Sequence, residues 1–301
     1  MDDLEKIFAI FKEDDCLAFL GAGAGSEFID SQQKIVPGLP RGAELAKSLA
    51  DRCSYPFTLN GDLAKVAEYF LYKKSGNRKS LEEAVQEAIQ KPCCPPRPIH
   101  TVLAQLKPVK IIITTNYDRM IEEEAQKYRR LTWHYYNRFG SDNARFDHSP
   151  SIRPDEVVVY KMHGTIEIPE TMVISESDYI YYLTHIYDRE RGIPDFFRKT
   201  WLPYCNLLFL GYSLEDWDFK VIWEGMLSDY RLLNPFKKAY ALVRDMDDSK
   251  IEYWRDRNIK VIKYDLTEFS KDLAKQFNLE IPQLGITRGT AGTRGTGGGL
   301  S

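Results

Sequence analysis

The stretch that most constrains this chain runs from Cys16 to Ser26 and reads CLAFLGAGAGS. Cys16-Leu17-Ala18-Phe19-Leu20 has no polar alternation, and glycine stops it at once. A short, uniformly apolar run bounded by glycine predicts a strand buried on both faces, in the middle of a parallel sheet. The turn that follows, Gly21-Ala22-Gly23-Ala24-Gly25-Ser26, has almost no side chains. Its backbone N–H groups can approach a pyrophosphate that larger residues would hold away. The same glycines also suit a tight turn that needs small residues for packing, so both readings stand at this point. Spacing removes two common nucleotide motifs. No GK[ST] follows, which excludes a P-loop, and position 26 is serine, which breaks the G-x-G-x-x-G dehydrogenase fingerprint.

A chain of 301 residues has room for one large domain, or a domain with a sizeable insertion. Its 43% apolar and 28% charged residues are ordinary for a globular protein. A net charge of −3 argues against general affinity for nucleic acid or acidic membranes. The acidic opening Met1-Asp2-Asp3 does not read as a signal peptide, and no apolar run is long enough to span a bilayer, so a cytoplasmic location is expected. Five cysteines are an odd number, and Cys16 and Cys205 sit in apolar runs, as buried reduced thiols do. Cys93 and Cys94 are adjacent and no C-x-x-C pair occurs, so no structural zinc is expected.

Along the chain, apolar periodicity predicts an opening helix over 3–12, then four successive helices over 43–53, 62–73, 80–90 and 98–106. Without an intervening strand, these read as a helical insertion at about 41–107. The polar stretch 27–36 and Pro37-Gly38-Leu39-Pro40 predict a mobile loop over the site. Buried-strand patterns recur at 109–114, 156–161, 206–210, 239–243 and 259–263, with a short strand at 171–174. Helices are predicted over 119–130, 175–185, 195–202, 249–257 and 268–277, and residues 131–155 read as a loop-rich excursion. This alternation predicts an α/β fold, a Rossmann-like three-layer sandwich with a parallel sheet. Residues 1–284 form one expected domain; 285–301, rich in Gly, Thr and Arg, reads as a disordered tail or linker.

Several strands end in polar residues, where doubly wound sheets bind ligands. Residues 109–114 run into Thr115-Asn116-Tyr117-Asp118, although Asn116 and Asp118 also suit helix capping. Residues 156–161 run into Met162-His163-Gly164, and 206–210 into Gly211-Tyr212-Ser213. Glu215-Asp216-Trp217-Asp218 reads as the acidic first turn of a helix and not as a metal site. Tyr179, Tyr181 and Tyr182 are expected to serve packing or oligomer contact.

In order, FLGAGAGS, TTNYDR, KMHG and FLGYS resemble the sirtuin-like superfamily, in particular its NAD-hydrolysing branch in bacterial anti-phage defence proteins. The likeness spans roughly residues 14–264. It implies that NAD is the substrate, bound through Gly21, Ala22, Gly23 and Ser26, through Thr115, and through Gly211, Tyr212 and Ser213. It implies Asn116, Asp118 and His163 as catalytic residues. Gly25 intervenes where the family commonly has serine, the loop to Gly38-Leu39-Pro40 is longer than usual, and the zinc ribbon of the deacylating branch is missing. The implied activity is an NAD glycohydrolase yielding ADP-ribose and nicotinamide, a toxic effector. Control by homo-oligomer assembly or by a regulatory partner is expected, such as a helicase-type ATPase or an Argonaute-like protein, with no direct nucleic-acid or membrane binding. A catalytically silent NAD- or ADP-ribose-binding module is the alternative, and a protein deacylase or ADP-ribosyltransferase a further one.

Overall fold

The run that ends in the glycine turn is the middle strand of the sheet. The computed structural model describes residues 3–13, 16–30, 32–74, 77–90, 94–139, 152–188, 192–215, 219–220, 222–227 and 237–281. Helix α1 (Asp3–Glu13) leads into β1 (Cys16–Leu20), followed by a small antiparallel hairpin of β2 (Phe28–Ile29) and β3 (Ile35–Val36). Four helices come next: α2 (Gly42–Cys53), α3 (Leu63–Lys73), α4 (Arg78–Gln90) and α5 (Pro98–Gln105). Then come β4 (Val109–Thr114), α6 (Met120–Tyr128), β5 (Arg130–Tyr135), β6 (Glu156–Lys161) and α7 (Glu176–Thr184). The remaining elements are β7 (Asn206–Leu210), β8 (Ala239–Val243), α8 (Asp248–Arg255), β9 (Ile259–Lys263) and α9 (Leu266–Phe277).

The main sheet has seven strands in the order β5-β6-β4-β1-β7-β8-β9, and every neighbouring pair is parallel. Because β1 pairs with β4 on one side and β7 on the other, strand order reverses there. At such a reversal, the loops leaving the carboxyl ends diverge and open a crevice.

Alternation along each strand builds two cores. Leu17, Phe19, Ile111, Ile113, Leu207 and Phe209 face one layer, where Tyr182 of α7 and Trp254 of α8 also pack. Phe19 and Phe209 stack across adjacent strands with centroids 4.6 Å apart. Ala18, Leu20, Ile112, Leu208 and Leu210 face the other layer, covered by α1, α5, α6 and α9. Complete burial of each such large side chain contributes about 1.5–3 kcal/mol, which explains why the apolar runs dictate the central strands. Helices α2, α3 and α4 share a third cluster through Leu45, Leu49, Val66, Phe70, Leu81 and Val85, joined by Tyr117, Met172 and Ile174 from the strand-end loops.

Three expectations need correction. Residues 130–135, expected as the end of a helix at 130 and the start of a loop from 131, are an edge strand; Arg130, Thr132 and their neighbours stay partly exposed, so no apolar run marks it. Residues 171–174 form no strand: a 3-10 turn spans Pro169–Thr171, and Val173 N then donates to His163 O at 3.0 Å. Within the expected loop 27–36, Phe28 pairs with Val36 and Ile29 with Ile35 as a hairpin. Phe196–Trp201, in the helix expected over 195–202, winds as a π-helix. Residues 140–151 of the expected excursion, Asp216, Trp217 and Asp218, Cys93, and the tail 285–301 lie outside the described residues.

Helix α5 starts at a buried junction. His100 Nδ1 accepts a hydrogen bond from Arg97 N at 3.0 Å, closing the first turn. Burial pushes the His100 pKa from 6.5 down to about 4; the Asp118 carboxylate opposes this and Arg97 adds to it. The native state therefore refuses a proton that the unfolded chain accepts below pH 6.5. Stability from this group is fully present above the unfolded value and is lost as pH falls through the folded one, by about 3 kcal/mol in all. Urea unfolding of wild type and His100→Gln at pH 7.5 and at pH ~4.5 should show a smaller acid loss in the variant; equal losses would refute the assignment.

Candidate active site

Three loops meet at the carboxyl end of β1. Gly21 N donates to Leu210 O at 2.9 Å and Gly23 N to Gly211 O at 2.8 Å, so the glycine turn leans on the end of β7. Ala22–Gly25 winds as one 3-10 turn, with Ala24 N bonded to Gly21 O and Ser26 N to Gly23 O. Gly211 has φ +73°, and a Cβ there would stand 2.4 Å from Ala24 N. A Cβ on Gly21 would come within 2.7 Å of Gly211 O. Close packing of the two turns thus requires glycine on both sides, whatever else the turn binds.

The Leu20 carbonyl collects the next contacts. It accepts from Thr114 Oγ1 at 2.9 Å, Thr115 N at 3.3 Å and Tyr212 OH at 3.1 Å. Thr115 Oγ1 in turn lies 3.3 Å from Tyr212 OH. Asn116 Nδ2 donates to Gly21 O at 3.0 Å, while its own N–H donates to Thr114 Oγ1 at 3.0 Å. This ties the side chain of Asn116 to the glycine turn. The Asp118 carboxylate accepts from Met120 N at 2.9 Å, a two-residue Asx turn that leads into α6.

Strand register brings Asn116 and His163 out beyond the ends of adjacent strands. Thr114 of β4 pairs with Lys161 of β6, and each chain continues two residues to reach Asn116 and His163. The His163 side chain is buried, edge-on to Tyr179 and Tyr182 with centroids 5.3 and 5.6 Å away. Gly164 has φ +77°, and a Cβ there would meet Thr171 O at 2.2 Å, so the histidine backbone turns where another residue would clash.

Gly21, Gly23, Thr115, Asn116, Gly211 and Tyr212 are therefore joined by hydrogen bonds around one strand end, with His163 on the adjacent strand. Ser213 stands apart on the surface, where its Oγ accepts from Glu215 N at 3.4 Å. Ser26 lines a cavity of about 30 Å³ together with Gly23, Ala24, Arg97, Arg244 and Asp265. Gly25 is absorbed into the 3-10 turn, its carbonyl accepting from Leu39 N at 2.9 Å. No group of three or more His, Cys, Asp or Glu side chains among the described residues is arranged to hold a metal ion.

Sequence reasoning passes over three buried charges here. Arg97 donates to the carbonyls of Gly25 and Pro37 and lies over the Phe28 ring at 5.1 Å, strapping the loop to the glycine turn; burial lowers its pKa. Lys161 and Glu122 form an ion pair, Nζ to Oε1 3.0 Å, beneath the Asn116 turn. The signal for Lys161 was a single charge closing the apolar run of β6; Arg97 was masked by flanking prolines.

A profile described as SIR2-like domain matches residues 110–262, half of the chain, and takes in the Asn116, His163 and Gly211 strand ends. The chain is 25% identical over 269 residues to the NAD(+) hydrolase ThsA of Bacillus cereus strain MSX-D12, covering 89% of this chain and 50% of that protein. It is 25% identical over 214 residues to the ThsA of Acinetobacter baumannii strain 532279, covering 71% and 39%. The chain thus spans about half the length, or less, of these hydrolases. A solved Sir2 enzyme structure aligns with a TM-score of 0.47 at 13% identity, over 92% of this chain and 98% of its own. With a matching profile over half its length, the chain belongs to the SIR2-like domain family.

Proposed function

We propose that this chain cleaves NAD+ to ADP-ribose and nicotinamide, with residues 1–284 as one catalytic unit carrying the helical insertion. The observation that carries the reading is Asn116, held to the glycine turn by a 3.0 Å hydrogen bond and level with His163 on the adjacent strand. The relatives named as NAD(+) hydrolases support it.

The chemistry asks for positioning more than for a strong acid. As the bond between the ribose C1′ and the pyridinium nitrogen breaks, its electron pair leaves with neutral nicotinamide and positive charge builds on the ribose. Asn116, its amide anchored through Nδ2, presents Oδ1 as an acceptor for a ribose hydroxyl or the attacking water. His163 takes the proton as the water oxygen bonds to C1′, a role worth typically about 10²–10⁴ in rate. The Asp118 carboxylate, in an Asx turn with Met120 N, adds negative potential near the developing cation. The pyrophosphate lies along the turn from Gly21 to Ser26, with Thr115 and Tyr212 contributing contacts; Ser213, expected to join them, faces away on the surface.

By its resemblance to the anti-phage branch, the protein acts as a toxic effector in the cytoplasm. Control falls to homo-oligomer assembly or a regulatory partner, a helicase-type ATPase or an Argonaute-like protein. No helix among the described residues is long and apolar enough to cross a membrane.

Incubation of the protein with NAD+ should release equal amounts of nicotinamide and ADP-ribose, followed by chromatography. Binding with NAD+ left intact under all conditions would favour a silent binding module instead. Asn116→Ala and His163→Ala should each lower turnover by at least about 10²-fold with unfolding transitions close to wild type; full activity in both would refute these roles. Gly211→Val should weaken ADP-ribose binding, read by calorimetry, because a Cβ at that left-handed position displaces Ala24 N.

A further inference from the structure

Lys161 closes β6, a strand that otherwise buries only apolar and aromatic side chains after its first residue. Its own side chain is completely buried, as is that of Glu122 in the first turn of α6. Lys161 Nζ stands 3.0 Å from Glu122 Oε1 and also donates to the backbone carbonyl of Asp118. One ammonium on the strand that delivers His163 therefore grips the turn that delivers Asn116.

A buried ion pair is a weak source of stability, since desolvating both charges offsets most of their attraction and an apolar pair of similar size does as well. Its geometric effect is different. The ammonium, held between two partners, turns one of its three N–H groups to the Asp118 carbonyl while another faces Glu122. Asn116 and Tyr117 of the turn are held as well. Asn116 N bonds to Thr114 Oγ1 at 3.0 Å, Tyr117 O accepts from Ile166 N at 3.1 Å, and Tyr117 OH donates to Val173 O at 2.5 Å. Among these contacts, the Lys161 bond is the one that comes from the His163 strand itself, two residues upstream of the histidine.

We propose that Lys161, aimed by Glu122 as its counter-ion, is a positioning residue that keeps the turn over residues 115–119 in register with His163. The kinetic consequence rests on the hydrolase reading above; the structural consequence does not. Burial raises the Glu122 carboxyl above its ordinary range and Lys161 pulls it down. A chain lacking the lysine can therefore neutralise the glutamate with a proton and still fold.

The test is a chain carrying Lys161→Met together with Glu122→Leu, in which both charges leave at once. Amides over 115–119 should exchange with solvent about tenfold faster than in wild type, while those of β1 and β4 are unchanged. For NAD+ hydrolysis, kcat should fall about 10²-fold with KM within roughly twofold, as a misplaced catalytic pair requires. Unchanged exchange over 115–119 overturns the tether whether or not the protein hydrolyses NAD+. Faster exchange with unchanged kcat overturns its role in positioning. A wild-type protein that leaves NAD+ intact removes the hydrolase reading, and the exchange result still decides the tether. Should the double variant not fold, Lys161→Met alone carries the same two readouts.

Discussion

The carbonyl oxygen of Leu20 is the point on which the strand-end architecture depends. It terminates the central strand and accepts from Thr114 Oγ1, Thr115 N and Tyr212 OH, so the ends of β4 and β7 are fastened to the end of β1. Without those donors the carbonyl would face the interior unsatisfied, at a cost of about 1–3 kcal/mol. The glycine turn, the Asn116 turn and the Gly211 turn then pack against each other because all three start from the same height. The reversal of strand order at β1 is what makes that meeting possible: both neighbours of β1 leave in different directions, and their loops enclose a crevice instead of covering it.

Charge is distributed around this crevice in an unusual way for a sheet with apolar strands. Arg97 and Lys161 are buried beside it and donate to backbone carbonyls, Arg97 to those of Gly25 and Pro37 and Lys161 to that of Asp118; Arg129 is buried at the opposite end of the sheet and donates to the carbonyls of Leu103 and Val109. Burial pushes Arg129 down to about 10. Long cationic side chains serve here as cross-braces between loops and strands. Lys161 alone among them has a buried carboxylate as partner, in Glu122, and its bond lands on the turn beside Asn116. Bracing through side chains suits a region that must hold polar groups in place without filling the crevice with apolar bulk.

Much of this was legible in the sequence, for a physical reason that also marks where legibility stopped. Central strands of a parallel sheet are buried on both faces, so β1, β4, β6, β7 and β8 announced themselves as apolar runs, and the polar residues beyond them followed by position. The edge strand β5 was missed because RLTWHY keeps side chains partly exposed and carries no such run. The hairpin β2–β3 has two residues per strand, too few for any periodicity. Within the site, Thr115, Asn116, Gly211 and Tyr212 could be named from strand ends alone, whereas Arg97, Lys161 and Glu122 could not. Their importance lies in partners 43 to 72 residues away, or in an ion pair across 39, and a local reading does not see those.

By itself, the sequence determined which segments are buried strands, that small residues follow the first of them, and which polar residues stand at the strand ends. Backbone geometry and apolar burial are local enough to impose this. Tertiary structure alone decided the rest: the strand order that puts Asn116 and His163 beyond the ends of neighbouring strands, the packing that forces glycine at 21 and 211, and the buried lysine that ties the end of β6 to the Asn116 turn. Those depend on which strands become neighbours, and that choice is made by the whole core at once.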